Sequence, residues 1–183
     1  MRRLDDLAGL FVLRLGHRPA RDKRITTHVC LVARAFGASG AYIAGVRDDS
    51  IRLTLEKIVG TWGGPFSVEH LPNPLGFIRE WKRKGGKVVH LTMYGLPLRQ
   101  RAREISSLGE DVLIVVGSEK VPREYFQVAD YNVSVGPQPH SEVAALAILL
   151  DRLTNGAWEE REFEGAKARI LPSEKGKAVQ QLR

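Results

Sequence analysis

Basic side chains crowd a short stretch of the chain that leads into an apolar segment. The stretch "GHRPARDKRITTHVCLVARAFG" covers residues 16–37 and contains His17, Arg18, Arg21, Lys23 and Arg24. Cations clustered in this way suit the phosphates of a nucleic acid, because each neutralised phosphate releases condensed counterions. We therefore predict that this loop contacts nucleic acid, with a solvated basic turn as the alternative.

A further arginine stands apart from this cluster. On a helical projection Arg34 lies beside Leu31, away from the apolar face that Val29, Ala33 and Phe36 share. Leu31 indicates that this second side is also partly covered, and a covered charge needs a partner. We expect Arg34 to lie either in a salt bridge or at an active site or subunit interface.

Titratable side chains mark three further places. His17, His28 and His140 carry imidazoles, which titrate near neutrality and can transfer protons, although a lone histidine more often has a structural role. Glu119 and Glu142 could hold a cationic ligand or equally cap the helix that follows each of them.

The composition limits the classes of protein that the chain can represent. Its 183 residues suit a single domain, residues 1–183, and they include 28 Lys and Arg against 21 Asp and Glu. One cysteine, Cys30, rules out an intrachain disulfide or a multi-cysteine zinc site, so we predict no metal and a reducing, cytoplasmic setting. The first apolar run is short and interrupted by Arg14, which fits neither a signal peptide nor a membrane span.

Apolar runs alternate with amphipathic stretches along most of the chain, as in an open, mostly parallel α/β sheet with helices on both faces. The predicted strands are "LFVLRL", "GAYIAG", "FSVEHL", "KVVHLTMY", "DVLIVVG" and "YNVSVG". The predicted helices cover residues 26–37, 49–61, 75–84, 97–108, 122–128 and 141–154. The alternation of apolar and amphipathic stretches ends near Trp158, so residues 158–183 are interpreted as a docked C-terminal extension with a loose end.

Glycine and proline collect after the last three predicted strands, in "TMYGLP", "VVGSEKVP" and "VGPQPHSE". Such loops could converge on one pocket, or they could be three ordinary turns. The loop after the first strand contains neither G-x-G-x-x-G nor a Walker A pattern, which disfavours an ordinary dinucleotide fold and a P-loop NTPase.

These stretches resemble motifs of the SPOUT superfamily of RNA methyltransferases. "HVCLVARAFG" resembles the first motif, with His28 in place of its asparagine and Arg34 at its functional arginine. "IVVGSEKVP" resembles the second motif, whose Gly-x-Glu core matches residues 117–119. "NVSVGPQPHSEVAALA" stands where the third motif is expected, with residues 140–142 replacing its usual Ser-Leu-Asn.

From about residue 12 to about residue 155, the chain closely resembles the archaeal tRNA cytidine-56 2'-O-methyltransferase family. The resemblance implies a C-terminal trefoil knot, a homodimer, and methyl transfer from S-adenosyl-L-methionine to the ribose 2'-oxygen of cytidine 56 in the tRNA T-loop. It makes Arg34 the catalytic residue, which would orient the hydroxyl and stabilise developing negative charge. The implied cofactor-binding residues are Leu91, Thr92, Tyr94, Gly95, Gly117, Ser118, Glu119, Lys120, Val121, Val135, Gly136, Pro137, Gln138, Pro139, His140 and Ser141. The implied RNA-binding residues are His17, Arg18, Arg21, Lys23 and Arg24.

Three other functions stay open from the sequence. The chain could be a superfamily member that methylates a different ribose or a base. It could also be a knotted RNA-binding protein without catalysis, because its third motif is altered. A small-molecule enzyme on a Rossmann-like sheet is the third alternative, but it leaves the basic stretch without a purpose.

Overall fold

Strands and helices alternate along the chain in the computed structural model, which describes residues 9–118 and 120–182. The main strands are β1 (Leu10–His17), β2 (Gly40–Gly45), β3 (Ser67–Leu71), β4 (Lys87–Pro97), β5 (Val112–Val116) and β6 (Tyr131–Ser134). The helices are α1 (Pro19–Ala35), α2 (Asp49–Trp62), α3 (Pro74–Arg83), α4 (Leu98–Ser106), α5 (Arg123–Val128) and α6 (Glu142–Thr154).

The six main strands form one sheet in the order β3-β2-β1-β5-β4-β6, and each neighbouring pair is parallel. Helices α1, α2, α4 and α6 contribute to a core on one face, whereas α3 and α5 cover the other face. The prediction of a mostly parallel α/β sheet is confirmed. Since parallel strands end at one edge, the loops that follow β4, β5 and β6 gather there.

Strand β4 is interrupted where it pairs with β6. Val133 aligns first with Leu91 and again with Leu96, so residues 92–95 leave the sheet between the two pairings. The backbone of β6 passes so close to Gly95 that an added Cβ would lie 2.5 Å from the Val133 nitrogen. Only a glycine fits this crossing, and the excursion of residues 92–95 places them at the sheet edge.

Helix α1 begins seven residues before its predicted start, so the expected basic loop is helical. Pro19 occupies its first turn, where the fixed φ of proline suits a helix start and no backbone N–H is lost from the helix. Arg21, Lys23 and Arg24 therefore lie in the first two turns of α1, not in a loop.

The C-terminal extension docks against α1 and α2 and ends in an antiparallel hairpin. Trp158 stacks on Phe36 with ring centroids 4.1 Å apart, and the hairpin pairs β7 (Ala168–Leu171) with β8 (Ala178–Gln181). The predicted docking is thus observed, but the expected loose end is wrong because residues 178–181 form a strand. Within residues 9–118 and 120–182, no helix is long and apolar enough to cross a membrane.

Candidate functional site

A cavity of about 380 Å³ lies at the sheet edge, where β4 and β5 end and α6 begins. Eight of the predicted cofactor-binding residues line it: Leu91, Thr92, Tyr94, Gly117, Ser118, Lys120, Val121 and His140. The wall also includes Met93, Val116, Phe126 and Ala145, which sequence reasoning missed, and Glu142. Loops from separate parts of the chain therefore do converge on one cavity.

Other predicted cofactor-binding residues lie outside this cavity wall. Gly95 lines a neighbouring groove beside Tyr131 instead. The residues of the turn before α6 that do not line the cavity are Val135, Gly136, Pro137, Gln138, Pro139 and Ser141. Among them, Ser141 caps α6 by accepting a hydrogen bond from the Val143 N–H at 3.2 Å. Glu119, the remaining predicted member, lies outside the described residues.

Glycines let the chain approach itself closely beside the cavity. Gly16 has a positive φ of 67°, and an added Cβ there would collide with the hydroxyl of Ser118. An added Cβ on Gly117 would likewise collide with Val121. The end of β1 is therefore in contact with the loop after β5, which connects the start of α1 to the cavity.

Arg14 lies beneath this edge with 1% of its surface exposed. Its guanidinium donates to the Gly117 carbonyl and, at 3.1 Å, to the Leu15 carbonyl, and it forms an ion pair with Glu142 at 3.0 Å. Burial lowers the pKa of Arg14, and the Glu142 carboxylate acts in the opposite direction. From sequence, Arg14 was noted only as an interruption of an apolar run.

Arg34, the predicted catalytic residue, does not lie at the cavity. It stands 15 residues after Pro19, which is about 22 Å along α1 at 1.5 Å per residue. Its side chain is 7% exposed and donates to the carbonyls of Trp62 at 2.7 Å and Gly63 at 2.6 Å, at the end of α2. The guanidinium also lies 4.3 Å from the ring centre of Phe163. Within one protomer Arg34 therefore joins α1, α2 and the C-terminal extension, and no contact with the cavity of the same chain supports the predicted catalytic role.

His17, a predicted RNA-binding residue, is fully buried. Its Nδ1 lies 2.9 Å from the Thr26 hydroxyl, and its Nε2 lies 3.6 Å from Asp48. Burial lowers the pKa of His17, although Asp48 favours the charged form. A side chain with no exposed surface does not contact RNA, so the expectation for His17 is corrected to a role in packing.

The other basic residues do form a surface. Arg21, Lys23 and Arg24 line a groove of about 550 Å³ on α1, together with the exposed His28. Arg18 adjoins the groove and pairs with Asp22 at 2.8 Å. Helix N-termini ordinarily favour anions, so the cations here add to the positive end of the helix dipole. The groove therefore presents a concentration of positive charge at the surface of α1.

Proteins of known name match the chain over most of its length. The family model described as "tRNA ribose 2'-O-methyltransferase, aTrm56" matches residues 62–180. A tRNA (cytidine(56)-2'-O)-methyltransferase of Methanopyrus kandleri is 57% identical over 171 residues, covering 93% of this chain and 96% of that protein. The enzyme of the same name from Thermococcus kodakarensis is 56% identical over 174 residues, with coverage of 93% and 96%.

Solved structures share the fold at low sequence identity. The A. aeolicus TrmH/SpoU tRNA modifying enzyme has a TM-score of 0.62 and 18% identity, covering 86% of this chain and 78% of that one. The SpoU methyltransferase AviRb from Streptomyces viridochromogenes, in complex with AdoMet, has a TM-score of 0.57 and 21% identity, covering 81% and 58%. These similarities concern the fold alone.

Proposed function

The chain belongs to the tRNA ribose 2'-O-methyltransferase family aTrm56, and from this premise we propose that it methylates the ribose 2'-oxygen of cytidine 56 in the tRNA T-loop. The methyl donor in this proposal is S-adenosyl-L-methionine. The observation that carries the proposal is the presence of a loop-built cavity and a basic helical groove at the same edge of the sheet.

The cavity fits the methyl donor in size and in chemistry. Its volume of about 380 Å³ lies within the range of small-molecule sites. Leu91, Val121 and Phe126 supply apolar surface for an adenine ring, while Glu142 supplies a carboxylate for a cationic group. When bound, S-adenosyl-L-methionine supplies a methyl group activated by a sulfonium sulfur. The protein must then orient the acceptor hydroxyl, exclude water and receive the proton of that hydroxyl.

We assign His140 as the group that accepts the proton of the acceptor hydroxyl. It lies on the cavity wall, is exposed, and carries an imidazole, a side chain that can accept a proton. His17 is buried away from solvent and Arg34 is occupied at the end of α2, so neither competes for this role. His140 would take the proton from the 2'-hydroxyl while the 2'-oxygen forms its bond to the methyl group.

The groove on α1 would hold the substrate. Arg21, Lys23 and Arg24 present cations that contact phosphates of the folded tRNA, and Arg18 adjoins them. These contacts fix the position of the RNA without reading its sequence. Because the proposed substrate is tRNA, we also assign the protein to the cytoplasm.

The remaining features of the proposal concern the architecture. We assign a trefoil knot to the segment in which β4 leaves the sheet at residues 92–95 and returns beside Val133. Residues 1–183 form one domain with residues 158–183 as its extension. We also assign a homodimer, because α6 exposes 46% of Ile148 and packs against α1, on which Leu31 is half-buried. Light scattering on the wild type and on Ile148→Asp tests the dimer: the wild type should have twice the chain mass.

Methyl transfer itself is tested with labelled S-adenosyl-L-methionine and unmodified tRNA. Digestion of the product to nucleosides should place the label in 2'-O-methylcytidine. Label in a methylated base or in another nucleoside would reject the assigned position. Binding of the donor and of tRNA without transfer of label would instead identify a non-catalytic RNA-binding protein.

A further inference from the structure

Arg14 places a charged side chain in the interior of the protein. It occupies the middle of β1, a central strand that pairs with β2 on one side and β5 on the other. Its surroundings on the strand are Leu13 and Leu15, and its side chain is 99% buried. A buried ion pair often contributes no net stability compared with apolar residues of similar volume. Folding alone therefore gives no reason for an arginine here.

The contacts of Arg14 join two separate walls of the cavity. One is Gly117, which follows β5, and the other is Glu142, the first residue of α6. Both residues line the cavity, whereas Arg14 itself does not. One guanidinium therefore holds the relative position of two segments that are far apart in the sequence.

The bond to Gly117 also sets the direction of a peptide group. In a trans peptide the C=O and the following N–H point in opposite directions. Because the Gly117 carbonyl accepts from the buried guanidinium, the N–H of Ser118 points away from Arg14. Similarly, Arg14 holds Oε1 of Glu142, while 29% of that side chain stays exposed.

We propose that Arg14 is a positioning residue for the methyl donor, which fixes the Gly117–Ser118 peptide and the Glu142 carboxylate in their ligand-binding orientations. The inference rests on the proposed function. The carboxylate is matched to the cationic groups of S-adenosyl-L-methionine, its ammonium or its sulfonium. Glu142 is also the first residue of α6, and helix N-termini favour anionic groups. Arg14 acts only through these two groups and does not touch the ligand.

The test compares Arg14→Met, Arg14→Lys, Glu142→Gln and the double variant Arg14→Met/Glu142→Gln. Calorimetry measures the Kd for S-adenosyl-L-methionine without tRNA, thermal unfolding gives Tm, and filter binding gives tRNA affinity. We expect Arg14→Met and Glu142→Gln each to weaken donor binding at least tenfold, and the double variant to bind no more weakly than the weaker single variant. Arg14→Lys should recover part of the lost affinity.

Stability and tRNA affinity distinguish positioning from a general structural role. We expect the double variant to keep the wild-type Tm or exceed it, since no unpaired charge is left buried, and tRNA affinity to change less than twofold. Arg34→Met is the matched control, a second buried arginine far from the cavity, which should lower Tm and leave the donor Kd unchanged.

Two results would overturn the inference while the proposed function stands. The first is a wild-type donor Kd in Arg14→Met or, should that variant fail to fold, in Glu142→Gln. The second is a parallel loss of donor affinity, tRNA affinity and Tm. Failure of the wild type itself to bind S-adenosyl-L-methionine would instead refute the proposed function.

Discussion

Replacing Arg34 by alanine should lower the stability of the folded protein and leave the rate of methyl transfer nearly unchanged. The side chain makes hydrogen bonds of 3.2, 2.7 and 2.6 Å to two carbonyls, those of Trp62 and Gly63, and it covers the ring of Phe163. Hydrogen bonds from a charged donor contribute at least about 1.5 kcal/mol for each carbonyl, which gives about 3 kcal/mol for the pair. The cation–π contact adds about 1 kcal/mol.

This loss of about 4 kcal/mol corresponds to a fall in Tm of about 10 °C for a chain of this length. Calorimetric unfolding of Arg34→Ala measures the shift, and methyl transfer is assayed well below the variant's Tm. We expect the rate to stay within twofold of the wild type, because the residue lies at the far end of α1 from the cavity.

Phe163→Leu provides the matched control for Arg34→Ala. It removes the ring but keeps both carbonyl contacts, so Tm should fall by only about 3 °C. An Arg34→Ala protein that keeps the wild-type Tm and loses methyl transfer would refute this reasoning and return Arg34 to the active site.

Three further predictions concern the groove, the proton and pH. The double variant Lys23→Ala/Arg24→Ala should flatten the dependence of log tRNA affinity on log salt by about 1.4–1.8, as measured by filter binding over a salt series. His140→Gln should lower the rate of methyl transfer by about 10²-fold or more, as measured with labelled methyl donor. Burial lowers the pKa of His90, so protons bind the unfolded chain first as pH falls through about 6.5. The free energy of unfolding should therefore decrease below that pH, by at most about 1.4 kcal/mol per unit for this histidine, and less steeply in His90→Gln.

Each of these predictions has a contradicting outcome. Arg79→Ala, an exposed cation on α3 on the other side of the sheet, serves as the control for the groove and should leave the salt slope unchanged. An unchanged slope in the groove variant as well would remove α1 from the RNA interface. A His140→Gln enzyme with the wild-type rate of methyl transfer would exclude that imidazole as the proton acceptor. Equal pH dependence of unfolding in wild type and His90→Gln would show that His90 titrates alike in both states.

Local patterns in the sequence were sufficient for most of the architecture. Buried parallel strands have apolar side chains on both faces, so runs such as "DVLIVVG" identified β5 without further information. The start of α1 was missed because its first turns carry cations, which a helix N-terminus usually disfavours. The terminal hairpin was missed because a strand such as β8, residues 178–181, is short and largely exposed and has little apolar periodicity.

The candidate site was predictable only in part. Gly117 and Ser118 could be placed at a cavity because glycine-rich turns follow predicted strands. The partners of Arg14 are 103 and 128 positions away in the sequence, and no local pattern reveals such contacts. Arg34 was correctly interpreted as covered, but its location depended on the length of α1 and on the end of α2. Long-range packing therefore decides which arginine contacts the residues of the cavity wall.

The most direct test of the account uses two synthetic tRNAs that differ in one atom. One contains cytidine at position 56, and the other contains 2'-deoxycytidine there, which removes the acceptor oxygen and keeps the base. After incubation with the enzyme and S-adenosyl-L-methionine, mass spectrometry of nuclease fragments should show a gain of one methyl group at position 56 of the first tRNA and none in the second. Equal methylation of both tRNAs would contradict transfer to the 2'-oxygen of cytidine 56.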